Sequence, residues 1–402
     1  MYTLSLWRRA DCARIMTRKL TLNDEVVKNF TLARAFAING KDYKASPDFK
    51  DLTFEEETTT TESMDFHLSE PLLVAATTSN RICLYNTRDG RCEKIVASQK
   101  YGATSICFTH HPSCVVYASN KDQKGEMSSA SGAGDKNEQH AIRYHSLFDN
   151  SYIRYFAGHT DKVLNVTTSK ISDRFVTSSM DKTVKYWDLR NENAVATEKV
   201  ECDYPTVAID STETVIAIGS EGGAVQLKAF SAMGQDGPFW NKKIDLIAVE
   251  ERAYHSQMGQ NGKEKRCKLS SLKFSADNNS LLAVLENRIY LVDIQPKKEE
   301  SIKWKKWDLG EPQDSVRLEA SFSPDNKYVI TGCVDKSVRI FNAETGSEVC
   351  RLEQEHVGIP SCVAWSPKQA LFASACKGMA FWIPKEESIQ KHQHKEVITL
   401  SD

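Results

Sequence analysis

The sequence predicts an all-β fold, a single seven-bladed β-propeller, and three observations lead to this prediction. Gly158-His159 is followed by Trp187-Asp188, with Asp181 between them, which is the pattern of one WD-repeat blade. Strand-like runs recur seven times along the chain at comparable intervals. The 402 residues suit seven repeats of about 40 to 45 residues each.

The end of the third strand can be identified in each repeat. Each follows a second β-rich run and a turn, and apolar residues alternate with polar ones. The seven ends are Tyr85-Asn86, Tyr144-His145, Trp187-Asp188, Lys228-Ala229, Val292-Asp293, Phe341-Asn342 and Trp382-Ile383. Long intervals between these ends contain polar, glycine-bearing segments, which predicts loop insertions rather than extra domains.

These patterns divide the chain into three parts. Residues 1–25 are expected to be a disordered extension, residues 26–384 the propeller and residues 385–402 a charged tail. Loop insertions are expected at about 41–62, 121–139, 232–265 and 295–311. Translation starts at Met1 or at Met16, and the sequence leaves both open.

The ring is expected to close through an N-terminal strand. The seventh repeat reaches Trp382-Ile383 and then meets Pro384 and charged residues, so its outer strand is missing. Residues 26–36 form a spare β-like stretch before the first repeat. An unpaired sheet edge is a liability, so this stretch is predicted to supply the missing strand.

Composition excludes several classes of function. The net charge is −2 and charged residues are 26% of the chain, so no strongly basic nucleic-acid surface is predicted. The aromatic and basic runs 142–145 and 152–156 carry too few arginines for such a surface, and no direct, specific nucleic-acid binding is expected. No run approaches the roughly 18 apolar residues of a membrane span. Eleven cysteines without a C-x-x-C pair indicate reduced thiols.

No enzyme is predicted, and neither a cofactor nor a metal is expected. The P-loop, H-E-x-x-H and G-x-S-x-G motifs are absent. His159 and Asp181 could be a general-base pair, but both fit a structural network in which His159, Ser179, Asp181 and Trp187 hydrogen-bond in series. His392 and His394 lack further ligands for a metal. One blade alone is expected to carry the full network.

The chain also resembles a known family through an ordered set of segments. These are residues 100–102, 115–121, 142–144, 149–159, 181–190, 237–239, 318–325, 372–376 and 379–382. They are similar to the WD repeat-containing protein 82 family, the WD-repeat subunit of the COMPASS histone H3 methyltransferase complex. The resemblance spans residues 26–384 and is weakest in the fourth and fifth repeats.

The resemblance implies a nuclear, non-catalytic scaffold that helps a histone H3 lysine methyltransferase and links it to transcribing RNA polymerase II. In fungi the family also serves in the cleavage and polyadenylation factor. Expected partners are the methyltransferase catalytic subunit and other COMPASS subunits, cleavage and polyadenylation subunits, and the phosphorylated polymerase tail. The partner-binding candidates in the matching loops are Lys100, Tyr101, Asn120, Lys121 and Lys182. Another WD-repeat adaptor, such as a ubiquitin-ligase substrate receptor, is the alternative.

Overall fold

The computed structural model is all-β, with seven blades that form a β-propeller, as the sequence predicted. It describes residues 2–3, 19–38, 43–46, 59–120, 140–232, 241–246, 268–294, 304–310, 317–353 and 356–385. Two compact units divide the chain, residues 1–95 with 313–402 and residues 96–312.

The first unit contains blades 6, 7 and most of blade 1. Within it, β1 (Tyr2–Thr3) pairs with β2 (Lys19–Leu20), and α1 (Asp24–Lys28) follows. Blade 7 is a five-stranded sheet of β29 (Cys362–Trp365), β30 (Phe372–Ala375), β31 (Gly378–Pro384), β3 (Phe30–Ile38) and β4 (Tyr43–Ser46). Blade 1 comprises β5 (Thr61–Phe66), β6 (Leu72–Thr77), β7 (Arg81–Asn86) and β8 (Arg91–Ala97). Blade 6 comprises β25 (Ala320–Phe322), β26 (Tyr328–Gly332), β27 (Val338–Asn342) and β28 (Glu348–Leu352).

The second unit contains blades 2 to 5, each a four-stranded sheet. Blade 2 comprises β9 (Thr104–Phe108), β10 (Cys114–Ala118), β11 (Ile142–Ser146) and β12 (Ser151–Phe156). Blade 3 comprises β13 (Val163–Thr168), β14 (Arg174–Ser179), β15 (Thr183–Asp188) and β16 (Ala196–Lys199). Blade 4 comprises β17 (Thr206–Ile209), β18 (Val215–Gly219), β19 (Ala224–Ala229) and β20 (Asn241–Asp245), with 3-10 turns at Glu221–Gly223 and Phe230–Ala232. Blade 5 comprises β21 (Leu269–Phe274), β22 (Ser280–Leu285), β23 (Arg288–Asp293) and β24 (Trp304–Asp308).

Strands of one blade run antiparallel to their neighbours, which defines two edges. The turn between the second and third strands and the loop that enters the first strand lie at one end, because successive strands reverse direction. We name this end the upper edge and the opposite end the lower edge. Second strands such as β10 are buried along their whole length, so the edges and the outer strands carry the accessible side chains.

The ring closes through the N-terminal strand, as the sequence predicted. β3 pairs antiparallel with β31, from Phe30 opposite Pro384 to Ala37 opposite Gly378. β4 pairs with the other side of β3. The terminal blade is therefore built from both ends of the chain.

Residues 26–28, predicted as the beginning of that strand, instead belong to α1. The Asn23 side chain caps the helix by accepting from the Val26 amide at 2.9 Å, and Asp24 and Glu25 occupy the first turn, where the helix dipole favours acidic residues. Val26 and Val27 are fully buried in the cluster that contains blade 6 side chains. Capping and burial together outweigh the β-propensity of the valine pair.

Three predicted insertions contain strands. Residues 41–62 include β4 and the start of β5, residues 232–265 include β20, and residues 295–311 include β24. β20 and β24 were missed because outer strands are largely solvated, and their lysines and aspartates resemble loop composition. The insertion predicted at 121–139 lies outside the described residues.

The two terminal predictions fall mostly outside the described residues as well. Of the extension at 1–25, the structure describes the β1 and β2 ladder, residues 21–23 and the start of α1. Of the tail at 385–402, it describes Lys385, whose amide donates to the Asn29 carbonyl oxygen at 2.9 Å.

Two further features concern the described residues only. No helix among them combines the length and the apolar character needed to cross a membrane. The nine cysteines in the described ranges are free thiols, and six of them are buried.

Candidate partner-binding surface

A hydrogen-bonded network holds blade 3 together. His159 Nδ1 lies 2.8 Å from Asp181 Oδ2, and His159 Nε2 lies 2.7 Å from Thr177 Oγ1. The Trp187 indole N–H donates to the same hydroxyl at 2.9 Å. Histidine, threonine and tryptophan are all buried, so this network has a structural role and presents no reactive group to solvent.

The central hydroxyl belongs to Thr177, and the prediction that Ser179 occupies this place is wrong. The Ser179 hydroxyl donates to the Asp161 carbonyl oxygen at 2.9 Å and accepts from the Asp181 amide at 3.2 Å. Residues two apart on a strand share a face, so the sequence pattern alone does not distinguish Thr177 from Ser179. Ser179 ends β14 and therefore stabilises the turn.

The network also shapes the acid–base chemistry of blade 3. Burial raises the pKa of the Asp181 carboxyl, but hydrogen bonds from His159 and Thr183 outweigh this effect and hold that pKa well below its usual range. The carboxylate therefore stays charged beside the imidazole, as an anchor for it.

Blade 7 contains a second, partial network in which the aspartate is replaced. His356 Nε2 lies 2.7 Å from Ser374 Oγ, and the Trp382 indole N–H donates to that hydroxyl at 2.7 Å. His356 Nδ1 lies 3.2 Å from Cys376 Sγ, which takes the place that Asp181 has in blade 3. Burial lowers the pKa of His356 to about 3. Glu355 rather than glycine precedes this histidine, so the Gly-His pattern that identified blade 3 is missing from blade 7.

Three of the five partner-binding candidates lie together on the upper edge of blade 2. The Lys100 ammonium lies 4.7 Å from the centroid of the Tyr101 ring. The Ser119 hydroxyl donates to the Tyr101 carbonyl oxygen at 2.5 Å, and Asn120 follows directly. Tyr101 is 8% exposed, so its ring supports the surface while Lys100 is accessible.

The other two candidates are placed differently. Lys182 lies in the upper-edge turn of blade 3 with a positive φ of 63°, and its ammonium is 2.7 Å from Asp203 Oδ1. The innermost strands of blades 2 and 3 are neighbours, since Ser105 Oγ donates to the Leu164 carbonyl oxygen. Lys182 is thus on the same edge one blade further along, in an ion pair of its own. Lys121 lies outside the described residues.

A cluster of tyrosines adjoins Lys100, and two of its three members, Tyr152 and Tyr155, were not among the predicted site residues. The Arg143 guanidinium carbon lies 3.6 Å from the Tyr101 ring centroid and 5.9 Å from that of Tyr155. Tyr152 and Tyr155 stack with centroids 5.3 Å apart, and His145 stacks on Tyr152 at 4.7 Å. We name Tyr101, Tyr152 and Tyr155 the tyrosine cluster. Burial lowers the pKa of Arg143 and raises that of Tyr155.

A β-bulge creates this cluster. Tyr144 pairs with Arg154 and His145 with Tyr152, so Ile153 is an additional residue in β12. In a regular strand, residues three apart point to opposite faces. Without the bulge, the Tyr152 and Tyr155 side chains would therefore lie on opposite faces of β12. The bulge returns them to one face. The regular alternation of side chains along a strand therefore does not predict this stacking.

Comparisons with known proteins identify the family. The family described as WD domain, G-beta repeat matches residues 150–188 and 313–342. The chain is 30% identical to WD repeat-containing protein 82 from Drosophila melanogaster over 374 residues, 92% of this chain and 99% of that protein. It is 34% identical to anthesis promoting factor 1 from Arabidopsis thaliana over 329 residues, 81% and 87% of the two chains. It is 25% identical to COMPASS component SWD2 from Saccharomyces cerevisiae over 343 residues, 81% and 91% of the two chains. The chain therefore belongs to the WD repeat-containing protein 82 family, and it is a WD-repeat propeller rather than an enzyme.

Proposed function

We propose that this chain is the WD-repeat scaffold subunit of a nuclear COMPASS-type histone H3 lysine methyltransferase complex. One observation carries the proposal. The similarity runs through 92% of the chain and 99% of the fly protein, and a yeast relative that is matched over 91% of its own length is named as a COMPASS component. A subunit of such a complex works at chromatin, so the proposal places the chain in the nucleus.

The proposed contact surface is the upper edge of blades 2 and 3. Lys100, Tyr101 and Asn120 supply one part of it, Lys182 supplies another, and Lys121 continues the chain from Asn120. Cations set on a rigid edge suit an extended, acidic segment of a partner. This edge is proposed to hold the methyltransferase subunit or the phosphorylated RNA polymerase II tail. A single propeller that bound both would link methylation to transcription by multivalent assembly, without any chemistry of its own.

A second assembly follows from the family resemblance. As that resemblance implies, we also propose that the same propeller takes part in mRNA 3′-end processing. A ubiquitin-ligase substrate receptor is the competing class of WD-repeat adaptor, and the identity of the co-purified proteins separates the three.

The experiment is affinity purification of the tagged full-length chain from nuclei, with mass spectrometry and methyltransferase assays on histone H3. The expected result is recovery of a Set1-type methyltransferase together with other COMPASS subunits. Recovery of ubiquitin-ligase subunits, with neither methyltransferase nor 3′-processing subunits, would overturn the proposal.

The same purification tests the surface with matched variants. Lys100→Glu combined with Lys182→Glu is expected to reduce recovered methyltransferase at least fivefold, because two cations become anions on the proposed contact edge. Lys336→Glu is the control, since Lys336 occupies the corresponding turn of blade 6 with a φ of 68° and follows Asp335 as Lys182 follows Asp181. Equal losses in both variants would remove this edge from the proposal while leaving the family assignment intact.

A further inference from the structure

Exposed apolar side chains are concentrated in one stretch of the described chain. Nine large apolar residues are exposed, and six of them lie between residues 148 and 195. Three of the six belong to β12, the outer strand of blade 2, namely Tyr152, Ile153 and Tyr155, which are 38%, 47% and 40% exposed. Contiguous exposed apolar surface on a soluble protein marks an interaction site.

β12 differs from the outer strands of the other four-stranded blades in its charges. Five further four-stranded blades end in an outer strand, and each of those strands carries both acidic and basic residues. These are Arg91, Glu93 and Lys94 in β8, Glu198 and Lys199 in β16, Lys242, Lys243 and Asp245 in β20, Lys305, Lys306 and Asp308 in β24, and Glu348 and Arg351 in β28. Charges of this kind protect an edge strand from pairing with other chains. β12 has one charged residue, Arg154.

The charge that does lie along β12 is positive. Arg154 Nη1 donates to the Leu189 carbonyl oxygen at 3.1 Å, a bond that does not neutralise the guanidinium. Lys100 lies beside the tyrosine cluster at the upper end of the strand. Arg154 also lines an open groove together with residues 190–195 of blade 3, where Arg190 is paired with Asp188 at 2.6 Å. Two cations, Lys100 and Arg154, therefore lie beside the exposed apolar residues of β12, and the groove also contains Glu192.

The tyrosine cluster itself excludes a cationic ligand. Arg143 already occupies the face of the Tyr101 ring at 3.6 Å, and the Tyr152 and Tyr155 rings are in direct contact. A methylated lysine needs an open gap between aromatic faces. The exposed parts of these rings instead offer a flat apolar platform along an extended strand, which suits an extended peptide rather than a single cation.

We propose that β12 is a docking edge for an extended protein segment that combines apolar with acidic side chains. The apolar side chains cover Tyr152, Ile153 and Tyr155, and the acidic ones pair with Arg154 and Lys100. The bulge at Ile153 limits indiscriminate strand pairing, so specificity comes from these side chains. This inference rests on the geometry of blade 2 and not on which complex the chain joins.

The test uses a displayed library of random 12-residue peptides, selected on the immobilised full-length chain. Peptides that combine aromatic or aliphatic residues with Asp or Glu are expected to be enriched. Their synthetic versions are then titrated by fluorescence anisotropy. Ile153→Asp and Arg154→Glu are each expected to weaken binding at least tenfold, because the first puts a charge on the apolar strip and the second reverses the local cation. Amides of residues 151–156 are expected to exchange more slowly with deuterium when the peptide is bound.

Ile95→Asp is the matched control. Ile95 is 39% exposed on β8, the outer strand of blade 1, and its replacement is expected to leave peptide binding unchanged. Melting temperatures of all three variants within a few degrees of the parent exclude unfolding as the cause of lost binding. Enrichment of basic peptides, enrichment of none, or binding that survives both β12 variants would each overturn the proposal. A failure of the COMPASS purification would leave this result untouched.

Discussion

The His159 and Trp187 side chains of the blade 3 network both bind the Thr177 hydroxyl. It accepts from the Trp187 indole at 2.9 Å and lies 2.7 Å from His159 Nε2. Both neighbours are buried, so water cannot replace the hydroxyl if it is removed. A buried polar group without a partner costs more free energy than the bond it made had contributed.

Thr177→Val should therefore destabilise the fold more than Ser179→Ala. Valine keeps the shape and leaves two buried groups without their partner, which costs about 2 to 4 kcal/mol of unfolding free energy. Ser179 bonds near the partly exposed turn, and its removal costs about 1 kcal/mol. Urea denaturation of both variants measures the difference. If Ser179→Ala lowered the unfolding free energy more than Thr177→Val, Ser179 and not Thr177 would be the central hydroxyl of the network.

At the level of single residues, the sequence predicts which kinds of side chain form the network but not which hydroxyl takes part. The residue types of the network were predictable because histidine, hydroxyl, carboxylate and indole satisfy one another when buried. Which hydroxyl takes part depends on register within β14, and sequence does not specify it. The contact between Tyr152 and Tyr155 depends on a bulge, which is a property of strand pairing.

At the scale of elements, the N-terminal segment does more than complete one sheet. β3 pairs with β31 in blade 7, while Val26 and Val27 of α1 pack in the cluster that includes Tyr328 and Ile340 of blade 6. The Tyr328 hydroxyl also donates to Asp24 Oδ1 at 2.7 Å. The segment therefore fastens two blades, and α1 contributes to the ring independently of the strand.

Val27→Ala tests this contribution of α1. The substitution removes two buried methyl groups from a fully buried position and should lower the unfolding free energy by about 1 to 3 kcal/mol. Glu25→Ala, in the same helix at an exposed position, should change it by less than about 0.5 kcal/mol. Thermal and urea unfolding report both values. Equal effects would mean that α1 is held by its own helical bonds and not by packing on blade 6.

Elements differed in how well the sequence predicted them. The ends of the third strands of all seven blades were predicted to within a residue or two, because these strands carry alternating apolar residues. The outer strands β20 and β24 were assigned to loops, since Asn241–Asp245 and Trp304–Asp308 are rich in charge. Solvated edges lose the hydrophobic signal on which strand prediction depends.

At the scale of the whole molecule, two blades use the same network with different acid–base chemistry. In blade 3 the histidine faces a carboxylate whose pKa is held below its usual range. In blade 7 the corresponding partner is the Cys376 thiol, and burial lowers the pKa of His356 to about 3. Acid therefore acts on the two blades in different pH windows.

The pH range in which His356 affects the unfolding free energy lies above that of Asp181, so the His356 contribution can be measured separately. Its pKa in the folded chain, about 3, lies below the ordinary value of 6.5. Between these values the unfolded chain binds a proton that the folded chain does not, so the unfolding free energy falls as the pH is lowered, by at most about 1.4 kcal/mol per pH unit. The Asp181 contribution is present above the ordinary carboxyl pKa of 3.8 and is lost only below it. A loss of stability between pH 6.5 and pH 4.5 therefore does not come from this carboxylate.

His356→Gln should flatten that dependence. The variant is expected to be less stable than the parent at pH 7, because the bonds to Ser374 and Cys376 change, yet to lose less unfolding free energy between pH 7 and pH 4.5. Urea denaturation at four or five pH values gives both slopes. His111→Gln, at an exposed position, is the matched control. If His356→Gln lost as much unfolding free energy over this range as the parent does, the buried imidazole of blade 7 would not be the group that senses acid.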